Sequence, residues 1–246
     1  MDYNNNKKTF TSNSEIEQYL KYAIASLLIV FFSLNLILNY FNNEVDKVYE
    51  DSFYLDNYET NVYNNIKEKL LNSKCSFMWD NQREFLNGTI RKFRPKKVLE
   101  IGPWTGGSSI IILNALKDIH NSKLYSVDLY GKNFIGRCVP LYFKELTKNW
   151  KLFKGNTIAK FIENIGNNID MAFLDSVHLE PGEILQFLII LPFLKEEAVV
   201  IFHDIANQIT KSGKPGTRME WASYIIFNII RGKKYLPSGN KLLLNK

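Results

Sequence analysis

Short apolar runs alternate with amphipathic segments along the chain from residue 98 onward. The runs predict β-strands at Val98–Ile101, Lys123–Asp128, Trp150–Lys154, Ile169–Asp175 and Ala198–Phe202. Between the last two, Pro181 and Glu183 predict the start of a helix that ends near Pro192. Helical patterns also cover Ile110–Leu116 and about Met219 to Ile230. This alternation is typical of an α/β fold in which a parallel sheet carries helices on both faces.

The longest apolar run, Tyr22 to Phe41, precedes this alternating part of the chain. No charged residue interrupts it, and its length is about the 20 residues that a bilayer core requires. Three interpretations stay open: a transmembrane anchor, a helix lying in the membrane interface, or a helix packed on the folded domain or a partner. A cleaved signal peptide is disfavoured because the run is long and no clear small-residue cleavage site follows it.

The apolar run divides the chain into predicted regions. They are a polar, disordered tail (1–21), the hydrophobic helix (22–41), a helical linker (42–78) and a folded domain (79–246). Val62, Ile66 and Leu70 give the linker its helical spacing. The segment Met78–Leu86 predicts a helix before the first strand, which either forms part of a lid over a ligand or only covers the sheet.

Composition narrows the range of partners. The net charge of +6 comes largely from scattered lysines, without a dense basic stripe interleaved with aromatic residues, so no nucleic-acid partner is expected. An anionic membrane surface or an acidic glycan is compatible with the same charge. Cys75 and Cys138 match no metal or redox spacing, so they are predicted to be free thiols in a reducing compartment.

A glycine-rich turn follows the first predicted strand and leads into a helix. Glycines let a ligand approach the backbone, and the helix start offers free N–H groups. A dinucleotide fingerprint requires glycines at its first, third and sixth positions, but Trp104 occupies the third. The run from Glu100 through Gly102 and Gly106 to Ser108 instead reads E-x-G-x-x-x-G-x-S. It resembles motif I of the class I S-adenosylmethionine-dependent methyltransferases.

Acidic residues also lie at or near the ends of predicted strands, where open parallel sheets bind ligands. They are Glu100, Asp128, Asp175 and Asp204. Asp128 follows Gly106 by about the 20 residues at which an acid reaches ribose hydroxyls in nucleotide-binding folds. A carboxylate suits this role because it accepts two hydrogen bonds from the diol.

The second half of the sequence strengthens the resemblance. Its motifs are F-L-D-S-V-H (173–178), L-P-F-L (191–194), F-H-D (202–204) and G-T-R-M-E-W (216–221). They are similar to a methyltransferase subfamily that acts on sugars and other small molecules. The resemblance implies a Rossmann-like, doubly wound, mostly parallel seven-stranded sheet, closed by a hairpin of Leu236 and Lys241–Leu244. The cofactor-binding residues that it implies are Glu100, Gly102, Gly106, Ser108, Asp128 and Asn156.

An oxygen acceptor must lose its proton during methyl transfer, which requires a base or a metal. Related catechol-type enzymes hold Mg²⁺ with an acid after the fourth strand and an acid–amide pair after the fifth. Asp175 and Asp204 match the acids, but Ile205 replaces the amide, so the metal stays an alternative. His178 and His203 are candidate bases or metal ligands, because neutral imidazole can serve in either role. The predicted catalytic residues are therefore Asp175, His178, His203 and Asp204, with Asp175 and Asp204 as metal candidates.

The leading hypothesis is an O-methyltransferase that uses S-adenosylmethionine on a sugar or other small hydroxylated acceptor, in surface-glycan biosynthesis. The alternatives are a non-catalytic, membrane-tethered module that binds a glycan or partner, and an NAD-dependent oxidoreductase, which Trp104 disfavours. A cytosolic cofactor predicts a cytoplasmic catalytic domain, tethered to the inner face of the membrane if 22–41 is an anchor. The lysines before that run and the acids after it favour the opposite orientation by the positive-inside rule.

Overall fold

The computed structural model describes residues 55–176, 182–203, 226–227, 230, 232 and 235. The predicted tail (1–21), the hydrophobic helix (22–41), the closing hairpin and most of the final helix lie outside these residues. Among the residues that are described, no helix is long and apolar enough to cross a membrane.

A parallel sheet forms the centre of the described structure. Its strands are β1 (Lys97–Ile101), β2 (Lys123–Asp128), β3 (Trp150–Lys154), β4 (Ile169–Leu174) and β5 (Leu194–Phe202), in the spatial order β3-β2-β1-β4-β5. Each predicted strand is confirmed, although β5 begins earlier than predicted because Leu194 already pairs with Ile169, before a bulge. The remaining two of the seven predicted strands fall outside the described residues.

Two helices precede the first strand, and shorter helices connect the later strands. They are α1 (Thr60–Asn72), α2 (Asp80–Phe93), α3 (Gly107–Leu116), α4 (Cys138–Tyr142), α5 (Ile158–Ile165) and α6 (Gly182–Ile190), with 3₁₀ turns at Lys144–Asn149 and Leu191–Phe193. The helical patterns in the linker, before β1, after β1 and before β5 are confirmed. The short α4 was not predicted, because five residues that include Pro140 show no helical periodicity.

Two hydrophobic cores lie on opposite faces of the sheet because successive strand residues point to opposite sides. Val98 and Leu124 pack with residues of α1 to α4 on one face. Leu99 and Val127 pack with residues of α5 and α6 on the other face. The doubly wound α/β architecture predicted from the sequence is therefore confirmed for the described residues.

The strand order reverses between β1 and β4, and a crevice opens there beyond the carboxyl ends of the strands. Backbone hydrogen bonds hold the strand ends together at this point. The Gly102 N–H donates to the Val127 carbonyl (2.9 Å), and the Asp175 N–H donates to the Ile101 carbonyl (2.9 Å). The fold thus places the loops after β1, β2 and β4 around one crevice.

The two cysteines form a disulfide, so the prediction of free thiols is wrong. Cys75 lies between α1 and α2, and Cys138 begins α4. Their Cα atoms are 6.1 Å apart although 63 positions separate them in the sequence. The prediction relied on local spacing, whereas the unpredicted helix α4 brings Cys138 to Cys75.

Candidate active site

Two glycines shape the loop after β1, and neither tolerates a side chain well. Gly102 has a φ of +87°, and a Cβ atom there would lie 2.0 Å from the Asp175 carbonyl oxygen. Gly106 has a φ of +102° and is the N-cap of α3. Both conformations favour glycine. The motif thus lets the ends of β1 and β4 approach each other and turns the chain into α3.

Glu100 lies beneath this loop rather than in the cleft. Its side chain is fully buried, and it accepts hydrogen bonds from the hydroxyls of Ser108 (2.6 Å), Ser109 (2.6 Å) and Ser126. Burial raises the pKa of Glu100, while the serine hydrogen bonds act in the opposite direction. The carboxylate therefore connects β1 to α3 and β2, and its predicted contact with a cofactor stays a prediction.

A cleft of about 640 Å³ opens at the carboxyl edge of the sheet. It contains five of the predicted site residues that are described: Gly102, Ser108, Asp128, Asp175 and His203. Its other walls come from Trp104 and Thr105 in the loop, Leu129 and Tyr130 after β2, Gln186 on α6, and the segment Cys75–Trp79 with Gln82. Because Met78, Trp79 and Gln82 line the cleft, the segment around the start of α2 does more than cover the sheet.

Asp128 ends β2 and lines the cleft with a fixed carboxylate. One oxygen accepts the Tyr130 N–H at 2.8 Å, and the carboxylate also accepts the N–H of Trp104 from the glycine loop. Burial raises the pKa of Asp128, against the effect of these two hydrogen bonds. The carboxylate is therefore held in place by backbone donors from both neighbouring loops.

Asp175 and His203 form a pair at the ends of β4 and β5. His203 Nδ1 lies 3.0 Å from Asp175 Oδ1, and both side chains are partly buried. The His203 N–H continues the sheet by donating to the Leu174 carbonyl at 3.0 Å. Two of the four predicted catalytic residues are thus neighbours in the cleft, whereas His178 and Asp204 lie outside the described residues.

Asn156, the predicted adenine contact, is not among the residues that line the cleft. Its side chain is exposed, and its Oδ1 accepts the N–H of Thr157, the N-cap of α5. Gly106 likewise lies one residue away from the cleft-lining Gly107. The cofactor contacts assigned to both residues stay predictions.

The sequence did not single out several polar atoms of the cleft wall. The buried oxygens Ser76 Oγ, Ser176 Oγ and Gln186 Oε1 line the cleft and have no hydrogen-bond partner among the described residues. Buried polar groups without a partner are rare, so each is available to a ligand. Gln186 carried a signal that could have been used, because it is the one polar residue within the apolar stretch from Ile184 to Ile190.

Exposed aromatic side chains surround the mouth of the cleft. Phe77, Trp79, Trp104 and Tyr130 all line it, with exposed fractions of 48% to 77%. The Trp104 ring packs edge-on against Phe134, with 4.8 Å between ring centroids. The cleft therefore offers flat apolar surfaces beside its polar floor.

The metal prediction depends on a residue that the structure does not describe. Within the described part of the chain, no group of three or more His, Cys, Asp or Glu side chains could hold a metal ion. Asp175 is placed in the cleft, but Asp204 lies outside the described residues. The Mg²⁺ site therefore stays a prediction.

Comparisons with known proteins agree with this architecture. Residues 99–205 match a family model described as a methyltransferase domain. The chain is similar to a solved putative O-methyltransferase from Klebsiella pneumoniae (15% identity, TM-score 0.52, covering 66% of this chain and 73% of that chain). It is also similar to the O-methyltransferase from Bacillus cereus in complex with SAH (15% identity, TM-score 0.53, covering 69% and 78%). No curated protein matches the sequence.

Proposed function

We propose that the chain is a class I S-adenosylmethionine-dependent methyltransferase that methylates a hydroxyl group on a small acceptor with a sugar or aromatic ring, which the match of residues 99–205 to a methyltransferase-domain model supports. The observation that carries this proposal is the single cleft that contains both the glycine loop with Asp128 and the Asp175–His203 pair. The first set suits a nucleoside ligand, and the second suits removal of a proton from an acceptor.

The residues around the glycine loop fit the proposed donor. The Asp128 carboxylate is available to the ribose diol, since its backbone partners hold it at the cleft surface. The unpartnered Ser76 hydroxyl offers a further polar contact. The cleft volume of about 640 Å³ lies within the usual range for small-molecule sites. When bound, S-adenosylmethionine supplies an electrophilic methyl group for in-line displacement.

The Asp175–His203 pair supplies the proposed base. If His203 Nδ1–H donates to Asp175, the neutral imidazole carries its basic lone pair on Nε2. Asp175 then fixes the orientation of the ring and stabilises the imidazolium that forms when the acceptor hydroxyl loses its proton. General-base catalysis of this kind contributes about 10² to 10⁴ in rate.

The acceptor class follows from the mouth of the cleft. Aromatic faces such as those of Phe77 and Trp79 pack against flat or ring-shaped ligands. The Ser176 and Gln186 oxygens supply neutral hydrogen-bonding partners for hydroxyl groups on such a ring. A sugar, including a surface-glycan precursor, or a phenol meets both requirements.

The proposal is tested by donor binding and by methyl transfer with the full-length protein. S-adenosylhomocysteine, titrated by calorimetry, should bind, whereas NAD should not. With methyl-labelled S-adenosylmethionine, label should appear on oxygen in a panel of sugars, nucleotide sugars and phenols. Absence of S-adenosylhomocysteine binding, or label recovered only on nitrogen or carbon, would contradict the proposal.

Within the same experiment, His203→Gln separates the two halves of the cleft. Turnover should fall by about 10² to 10⁴, while the affinity for S-adenosylhomocysteine stays within about twofold, because the histidine lies with Asp175 rather than with Asp128. His120→Gln is the matched control, since His120 is exposed and lies before β2. Equal turnover in both variants would remove His203 from the chemistry.

A further inference from the structure

The disulfide joins two segments that meet on the glycine loop. Cys75 and Cys138 are both buried, and Thr105 in the loop contacts the backbone of each. The Thr105 hydroxyl donates to the Cys75 carbonyl at 2.9 Å, and the Thr105 carbonyl accepts the Cys138 N–H at 2.9 Å. The disulfide thus closes a ring of contacts around a residue that lines the cleft.

The segment Cys75–Trp79, which we name the cleft wall, is also held by a few hydrogen bonds and by the packing of Met78 in the hydrophobic core. All five of its residues line the cleft. Arg83 donates to the Met78 carbonyl, and the Gln82 side chain accepts the Trp79 N–H at 2.8 Å. Phe77 and Trp79 are among the most exposed large apolar side chains of the described residues. The wall is therefore held by backbone hydrogen bonds and by the buried side chains of Cys75 and Met78, while its two aromatic side chains stay exposed.

The wall also lies directly against the start of α3. A Cβ atom at Gly107 would lie 2.4 Å from the Cys75 carbonyl oxygen and 2.7 Å from the Ser76 Cα. Such distances are well below ordinary contact, so the wall occupies the space that a side chain at position 107 would need. The cleft wall therefore packs directly against the end of the glycine loop, at a position where only glycine fits.

We propose that the Cys75–Cys138 disulfide is a positioning element for the donor cleft, so that the oxidised enzyme binds its donor more tightly than the reduced enzyme. A dithiol reduces the S–S bond to two thiols and becomes a disulfide itself, with transfer of two electrons and two protons. The hydrogen bonds to the wall and the burial of Met78 then remain, but water competes with the hydrogen bonds at small net loss, and no covalent bond holds Cys75 to α4. The wall opens locally, and donor binding has to close it again.

The expected size of the effect follows from the population of the closed wall. If reduction leaves about one tenth of the molecules closed, apparent affinity falls about tenfold. Coupling between reduction of the disulfide and binding of the donor is reciprocal. Bound ligand must therefore make the disulfide harder to reduce. For a two-electron couple, a ligand that binds the oxidised protein tenfold more tightly than the reduced protein makes the midpoint potential of the disulfide about 30 mV more negative.

The first test uses S-adenosylhomocysteine as the probe, because its thioether does not react with dithiothreitol. Calorimetry on the oxidised and reduced full-length protein should give an affinity about tenfold lower after reduction, with the fold monitored by circular dichroism. The double variant Cys75→Ser with Cys138→Ser should bind like the reduced enzyme and should not respond to dithiothreitol. Redox titration should give a more negative midpoint potential with saturating S-adenosylhomocysteine.

A second variant keeps the test decisive if the reduced protein does not stay folded. Gly107→Ala retains the disulfide but directs its methyl group at the Cys75 and Ser76 backbone, so it should also weaken binding about tenfold. Equal affinities in the oxidised, reduced and Gly107→Ala proteins would overturn the positioning role and leave the proposed function intact. Since the inference rests on that function, failure of the oxidised wild type to bind S-adenosylhomocysteine would overturn both.

Discussion

Glu100 and Asp128 lie on the same face of two neighbouring strands, yet only Asp128 reaches the cleft. In the register of β1 and β2, Glu100 pairs with Ser126, which is two residues before Asp128. Glu100 is fully buried under serine hydroxyls, whereas Asp128 accepts backbone hydrogen bonds at the cleft surface. Two residues along one strand face therefore separate a carboxylate that supports the loop from one that can bind a ligand.

The two carboxylates should consequently affect different measurements. Asp128 can change ligand affinity without much change in folding, because its partners are backbone groups that keep their own positions. Glu100 joins β1, β2 and α3 through side-chain hydrogen bonds, so it should act on the free energy of unfolding. Gly102 lies beside Asp128 in the strand register, and its Cα packs against the backbone after β4. Both ligand affinity and folding stability therefore depend on Gly102.

Gly102→Ala should have the largest effect on stability, because it disturbs both the packing of β1 against β4 and the shape of the cleft. The new methyl group would overlap the Asp175 carbonyl, and the residue would keep a positive φ. Strain and overpacking together lower the free energy of unfolding by about 4 kcal/mol. For a chain of this size, thermal denaturation should show a fall of roughly 10 °C in Tm.

The matched control for that substitution is Gly182→Ala at the start of α6. A Cβ atom there meets nothing within 4 Å. Alanine also has the higher helix propensity, so stability should stay equal or rise by up to about 1 kcal/mol. If both variants kept the wild-type Tm, the close approach of β1 and β4 would not constrain the site.

The constraint at Gly102 also shows which parts of the site local sequence signals could predict. The strand–glycine–helix motif and the acids near strand ends are local features, and they predicted the positions of β1, α3, Asp128 and Asp175. The local pattern did not indicate that Glu100 is buried beneath the loop, because its depth depends on the strand register and on the serines of α3. That information is absent from the pattern of a single strand.

Features formed by contacts distant in sequence could not be predicted in the same way. The disulfide depends on the short α4, which has no periodic pattern, and the cleft wall depends on the backbone space beside Gly107. Asn156 follows β3 but does not line the cleft, because proximity to the end of a strand does not fix where a loop side chain lies, so its contact with a cofactor stays a prediction. Composition likewise gave no indication of which wall would carry the aromatic residues.

Asp128→Asn should have the next largest effect, and it should act on donor affinity alone. The substitution keeps the size of the side chain but removes the charge, and hydrogen bonds to charged groups contribute about 1.5 to 3 kcal/mol. S-adenosylhomocysteine should therefore bind about 10- to 100-fold more weakly by calorimetry, with little change in Tm. Asn156→Ala is the control, and it should change affinity by less than about twofold.

The pH dependence of binding sharpens this prediction. Because burial raises the pKa of Asp128, the wild type should begin to lose affinity above the usual aspartate range as the pH falls and the carboxylate is protonated. Asp128→Asn should lack this component of the profile. If Asn156→Ala bound S-adenosylhomocysteine as poorly as Asp128→Asn, part of the donor would lie beyond the residues that line the cleft.

Glu100→Gln should have the smallest effect, and its sign is set by proton linkage. Burial raises the pKa of Glu100, so the folded protein retains a proton that the unfolded chain has already lost. The wild type therefore loses stability as the pH rises from the ordinary glutamate value near 4.5 to the raised pKa of the folded state, by at most about 1.4 kcal/mol per pH unit. Glu100→Gln does not titrate, so its stability relative to the wild type should increase across that window.

Urea denaturation at a series of pH values measures this difference, and Asp170→Asn provides a control of opposite sign. Burial alone would raise the pKa of Asp170, but hydrogen bonds from Lys195 and from the N–H groups of Lys97 and Lys96 lower it overall. Its stabilisation is therefore present above the unfolded pKa and is lost as the pH falls. If Glu100→Gln abolished S-adenosylhomocysteine binding and left this pH dependence unchanged, the buried carboxylate would be a ligand contact, and the distinction from Asp128 would fail.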